Sequence, residues 1–166
     1  MITSKRSLSI YFIILSNIAL DQISKILVRK HINPSDQIQL IGDYFLMLNV
    51  ENTGAFLGMG SDFNPFLKQI LLIVMPVFVL GYLIYYILKN SQLDKIHTFA
   101  LATIAGGGIA NIYDRIRFGS VTDFLFIDLG GMFKTGIFNI ADVSVSTGMI
   151  ILLILAVKTN KKASLN

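Results

Sequence analysis

Apolar residues gather into four long blocks: Leu8 to Val28, Phe66 to Leu88, His97 to Asp114 and Ile137 to Val157. Crossing about 30 Å of hydrocarbon takes roughly 20 mostly apolar helical residues, so each block predicts a transmembrane helix. The third is rich in Ala and Gly between Ala100 and Ala110. Small residues let helix backbones approach closely in a bilayer, so this span should be the most enclosed. Pro76 falls inside the second block and predicts a kink there. Between the first two blocks, Gln37 to Ile41 alternates polar and apolar, Gly42-Asp43 marks a turn, and Tyr44 to Val50 is rich in aromatic and aliphatic residues. That pattern predicts a short β-hairpin at the membrane surface. The expected fold is an all-α membrane protein of four transmembrane helices with a small extracytoplasmic β-hairpin between helices 1 and 2, as one domain over residues 1–166.

Composition agrees with a membrane protein: 54% of the 166 residues are hydrophobic and 14% charged, with a mean hydropathy of +0.67. Without cysteine, thiol chemistry and disulfides are excluded. The +4 formal charge is spread over both ends, without the basic stripe of a nucleic-acid surface, so no nucleic-acid partner is expected. Lys5 and Arg6 before an apolar run resemble a secretory signal, but Asp21 stands where a cleavage site would begin. The first block is therefore expected to remain as a transmembrane helix.

Four crossings put both termini and the Lys89 to Ile96 connection on one side. Lys5, Arg6, Lys89, Lys95, Lys158, Lys161 and Lys162 lie there, seven of the 14 Lys and Arg, in the shorter segments. Their density along those flanks predicts cytoplasmic termini.

The informative residues are the polar ones that apolar spans should not contain, because an unpaired charge in hydrocarbon costs on the order of 3 kcal/mol. Asp21 and Lys25 close the first block, Asn111, Asp114 and Arg115 the third, and Asn139 and Asp142 open the fourth, with Asp123 in the loop before it. Under the four-span topology all meet at one extracytoplasmic level. Asn139 and Asp142 would share a helix face, as would Asn111, Asp114 and Arg115. Two carboxyl groups brought together share one proton, the arrangement an aspartic protease uses on water and a carbonyl. From the residues alone, a structural role for Asp142 and Asp123 stands equally open, and so does an ion path across the membrane.

Other chemistries fit less well. His31 and His97 fall on opposite sides, which leaves no His-based metal site. Ser24 and Lys25 are adjacent and point different ways on a helix. Gly106 to Gly108 is not followed by the Lys-Ser or Lys-Thr of a phosphate loop. A GxGD intramembrane protease fails because the only Gly-Asp, Gly42-Asp43, follows Leu40 and Ile41.

The segments Asp21-Gln22-Ile23-Ser24-Lys25, Asn52-Thr53-Gly54-Ala55-Phe56, Gly106 to Arg115, Val121-Thr122-Asp123-Phe124 and Phe138-Asn139-Ile140-Ala141-Asp142 resemble, in order, the five sequence blocks of lipoprotein signal peptidase (signal peptidase II). The resemblance spans the whole chain. It departs in two places: one alanine, Ala55, precedes the phenylalanine where two are usual, and Ala110 stands where glycine commonly precedes the asparagine.

The resemblance implies a bacterial inner-membrane aspartyl endopeptidase that cuts prolipoproteins before a diacylglyceryl-modified cysteine. Asp123 and Asp142 would be catalytic with one water and no metal or other cofactor. Asn52, Gly54, Asn111, Arg115, Asn139, Ala141, Asp21 and Lys25 would be support residues. Asn52 and Gly54 would hold substrate backbone, Arg115 would fix the helix ends, and Asp21 with Lys25 would form an ion pair. Phe63 and Phe66 would lie in the interface with membrane lipid, and the working form is expected to be a monomer.

Overall fold

The computed structural model describes residues 4–55, 59–130 and 133–163; Phe56 of the second block lies outside them. Helix α1 (Ser4–His31) is apolar for most of its length and ends on Arg29, Lys30 and His31. The Arg29 and Lys30 cations suit the negative end of the helix. Strand β1 (Ile38–Ile41) then pairs antiparallel with β2 (Phe45–Asn52), as the alternation predicts.

The second apolar block is one helical rod in three pieces: α2 (Pro65–Gln69), a π-helical turn (Ile70–Val74) and α3 (Met75–Lys89). Proline has no N–H to continue the ladder. One residue before Pro76, the Met75 N–H reaches back to the Ile70 carbonyl, five residues away. The expected irregularity is thus a π-helical turn.

Helix α4 (Lys95–Phe118) starts at Asp94, whose carboxylate accepts the His97 N–H at 2.8 Å, and stops at left-handed Gly119 with φ 78°. A residue with φ in that range is cheap only for glycine. Strand β3 (Val121–Ile127) follows, then α5 (Ile140–Ala163).

Three expectations need correction. The fold is not all-α, because β3 pairs antiparallel with β2 and completes a three-stranded sheet in the order β1-β2-β3. Asp123 consequently lies in a strand rather than a loop. The fourth helix begins at Ile140, so Asn139 precedes it instead of sharing its face with Asp142. Among the described residues three helices, Lys5–His31, Pro65–Lys89 and Ile140–Lys158, are long and apolar enough to cross a membrane. The fourth expected span, α4, has 24 residues but carries Asn111, Asp114, Arg115 and Arg117 in its last two turns.

Helix α4 is the centre of the packing and touches α1, α3 and α5. Its glycines make that possible: a Cβ on Gly106 would fall 2.7 Å from the Asn17 Cβ, and one on Gly107 2.5 Å from the Ala141 carbonyl. Both contacts are too short to exist, so those backbones approach as far as hydrogen atoms allow. Ile10, Ile14, Ile87, Ala102 and Ala105 form one core between α1, α3 and α4. A second, of Val28, Ile32 and Phe124 with Met47, Leu125 and Ile140, joins the end of α1 to the sheet and the start of α5.

Candidate active site

The segment leading into α5 is guided by the sheet. Leu125 and Phe138 exchange two backbone hydrogen bonds of 2.8 Å, which brings Asn139 alongside Asp123. Asn139 and Asp142 then form a capping box. The Asn139 side-chain oxygen accepts the Asp142 N–H at 3.0 Å, and the Asp142 Oδ2 accepts the Asn139 N–H at 3.1 Å. A third N–H of this helix start, that of Ala141, donates to the Asp21 Oδ1 at 2.8 Å across 120 residues.

Each carboxylate oxygen of the two aspartates has an N–H donor. Asp123 Oδ1 accepts from the Asn139 Nδ2 at 2.6 Å, and Oδ2 from the Asn52 Nδ2 at 2.8 Å. Asp142 Oδ1 accepts from the Asn111 Nδ2 at 2.9 Å. The amide orientations are fixed by the network. Asn111 presents its oxygen to Lys25 Nζ at 2.9 Å, and an ammonium can only donate. Asn52 presents its oxygen to the Gly54 N–H at 2.9 Å.

Lys25 is fully buried and donates to Asp21 Oδ2 and Asp114 Oδ2, both at 2.8 Å, as well as to Asn111. Its three N–H bonds are therefore all used. Two carboxylates, both fully buried, face this ammonium, which is the pairing buried charges require. Arg115 donates to the Gly54 carbonyl at 2.8 Å and the Asn111 carbonyl at 3.3 Å, and so ties the segment after β2 to α4. The expected support residues Asn52, Gly54, Asn111, Arg115, Asn139, Ala141, Asp21 and Lys25 thus belong to one connected network with Asp123 and Asp142. Phe63 and Phe66 are exposed and apart from it.

A brace on the other face of the sheet was not foreseen. Strand alternation turns Thr122 and Glu51 away from Asp123. Arg29 Nε donates to the Thr122 hydroxyl at 2.6 Å, Thr122 donates to Glu51 at 2.7 Å, and Arg29 also pairs with Asp114 at 3.2 Å. Asp21, Lys25 and Arg29, each four residues on from the last, form one helix stripe that carried the signal.

Burial pushes the Asp123 carboxyl up to about 6, with the Asp142 charge adding to the rise and the Asn52 and Asn139 amides opposing it. Both aspartates line one cavity of about 20 Å³ together with Asn52, Ala55, Asn111, Arg115 and Asn139. Asp142, Asn111 and Arg115 also open onto an apolar groove of about 610 Å³ between the second helical rod, α4 and α5, lined by Leu72, Leu80, Ile104 and Met149 among others. Asp123 and Asn52 open on the other side onto a pocket of about 320 Å³ with Thr53, Ser61 and Ile137. Groove, cavity and pocket follow one another past the two carboxyls. Among the described residues no three of His, Asp and Glu gather in a metal-ligand set.

Residues 13–158 match the sequence family described as signal peptidase (SPase) II. A lipoprotein signal peptidase of Borreliella burgdorferi (strain ZS7) is 36% identical over 156 residues, 91% of each chain. One from Clostridium tetani is 35% identical over 146 residues, 88% of this chain and 90% of the other. The fold is shared with two solved structures titled bacterial membrane enzymes, at TM-scores of 0.81 and 0.78 and 24% identity. They cover 93% and 90% of this chain, and 90% and 93% of their own.

Proposed function

Because the chain belongs to the signal peptidase II family and is therefore a membrane peptidase that removes signal peptides from prolipoproteins, we propose that it does so as an aspartyl endopeptidase, with Asp123 and Asp142 activating one water. One observation carries the reading: both carboxyls line a cavity of about 20 Å³, room for a single water. The apolar groove that ends on Asp142 suits an apolar signal segment, and the pocket beyond Asp123 suits the chain that follows the cut.

Asp142 accepts two N–H bonds at the N-terminus of α5, a position that suits a base. Burial keeps the Asp123 proton until about pH 6, which suits an acid. The water oxygen attacks the scissile carbonyl carbon as its proton passes to Asp142, while Asp123 protonates the carbonyl oxygen. Collapse of the tetrahedral intermediate breaks the C–N bond, and the leaving nitrogen takes the proton from Asp142. The remaining hydroxyl proton returns to Asp123. Asn52, Asn111, Asn139 and Arg115 hold the dyad, and Lys25 with Asp21 anchors it to α1.

In the same reading α4 is the fourth crossing, enclosed by its neighbours so that its polar end meets protein rather than lipid. Both termini are cytoplasmic and the dyad is extracytoplasmic, acting on a diacylglyceryl-modified prolipoprotein as a monomer. An ion path would need charged groups at several depths. Among the described residues the buried charged ones, Asp21, Lys25, Asp114 and Asp123, share one level.

The test is cleavage of a diacylglyceryl prolipoprotein in lipid with a chelator present. Wild type should cut before the lipidated cysteine and neither Asp123→Asn nor Asp142→Asn should. Retained cutting by both folded variants would sink the dyad.

A further inference from the structure

Behind Arg115, on the far side of Leu72 from the main groove, lies a second cavity of about 370 Å³. It is lined by Pro65, Lys68, Gln69, Leu72, Ile73 and Arg115, with Thr53 and Gly119 completing it. Among the described residues no acidic one lines it. Among the described residues Arg115 donates to two neutral carbonyls, and no carboxylate lies within ion-pair distance of it. Its Nε is buried without a hydrogen-bond partner. A half-buried guanidinium that feels the Asp123 and Asp142 charges only from beyond ion-pair distance, a lysine on the same lining and an apolar wall of Leu72 and Ile73 together suit an anion that carries hydrocarbon.

The surrounding surface supplies the context. Phe66, Ile116 and Phe118, on the two helix ends that frame the cavity, are 73%, 65% and 49% exposed. These side chains face lipid in the topology proposed above. We propose that this cavity binds an anionic glycerophospholipid, its phosphate between Lys68 and Arg115 and its chains along Leu72 and Ile73. The assignment rests on the membrane topology of the preceding subsection, though not on its catalytic dyad. Leu72 lines both this cavity and the main groove. A bound lipid therefore braces the wall against which the signal segment would lie.

The experiment uses the full chain in nanodiscs of phosphatidylcholine alone or with phosphatidylglycerol. Lipid retained after detergent release is read by native mass spectrometry, and cleavage of a lipidated prolipoprotein is read in parallel. Wild type should retain phosphatidylglycerol over phosphatidylcholine, and Lys68→Gln should lose about fivefold of that preference, the worth of one basic contact at a membrane surface. Turnover in phosphatidylcholine alone should be unchanged by Lys68→Gln. Lys30→Gln, which removes an equal charge from the exposed end of α1, should keep the preference.

Equal retention of both lipids by wild type would overturn the proposal, and so would an equal loss in Lys30→Gln. Stimulation by inorganic phosphate alone would reject the lipid in favour of a free anion. Retention is read without turnover, so an inactive protein with selective retention would count against the dyad and for this site.

Discussion

The two aspartates are held in unlike ways. Asp142 belongs to a helix start: its carboxylate and backbone N–H both take part in the capping box with Asn139. Asp123 stands on a strand and is held by two side-chain amides, while its own strand is secured from the opposite face by Thr122, Glu51 and Arg29. One acid is thus part of what makes its element fold, and the other is presented by an element that folds without it. Loss of Asp142 should damage structure and chemistry together, whereas loss of Asp123 should separate them.

The largest test of that contrast replaces each acid by its amide. Asp123→Asn and Asp142→Asn should both lower turnover by at least about 100-fold. Only Asp142→Asn should also lower stability, by about 1 kcal/mol, because its cap is impaired. Equal melting temperatures for the two variants would break the comparison. Next comes Lys25→Met, which leaves buried Asp21 without a cation and buried Asp114 with Arg29 alone, and should cost about 3–5 kcal/mol in a denaturation measurement. It should also weaken the start of α5, because Asp21 caps Ala141.

Asn139 serves both acids and Asn52 only one. Asn139→Ala should therefore cost about 2 kcal/mol, roughly 30-fold in kcat/KM, against about 1 kcal/mol, roughly fivefold, for Asn52→Ala. A reversed order would mean that Asp142 is not held as described. The smallest effect is a slope. Asp123 has its carboxyl raised from 3.8 to about 6. Its contribution to stability is then fully present below pH 3.8 and is lost as pH rises through about 6. Melting temperature followed over that window should fall in wild type with a component that Asp123→Asn lacks.

Much of this was legible in the residues, for physical reasons that differ by element. The hairpin was visible because alternation and a Gly-Asp turn are local signals. The strand Val121–Ile127 was missed although its β-branched and aromatic residues favour a pleated surface. The apolar spans on either side drew it into a loop reading. The π-helical turn before Pro76 could be expected only as a kink, since which carbonyl Met75 reaches depends on packing. Asn139 and Asp142 were read as two points on one helix face, yet Asn-x-x-Asp before an apolar run is also a capping pattern. The Ala141 to Asp21 bond joins positions 120 residues apart. No spacing rule encodes it.

The same capping box gives the site its own spectroscopic reporter. The Asn139 N–H points at Asp142 Oδ2, and the Ala141 N–H at Asp21 Oδ1. The chemical shift of an amide proton follows the charge on the carboxylate that accepts it. In a nitrogen-labelled sample these two signals would follow two neighbouring acids separately as pH is changed, with no substrate and no turnover. Adding an inhibitor would then reveal, from the Asn139 signal alone, whether it leaves Asp142 charged.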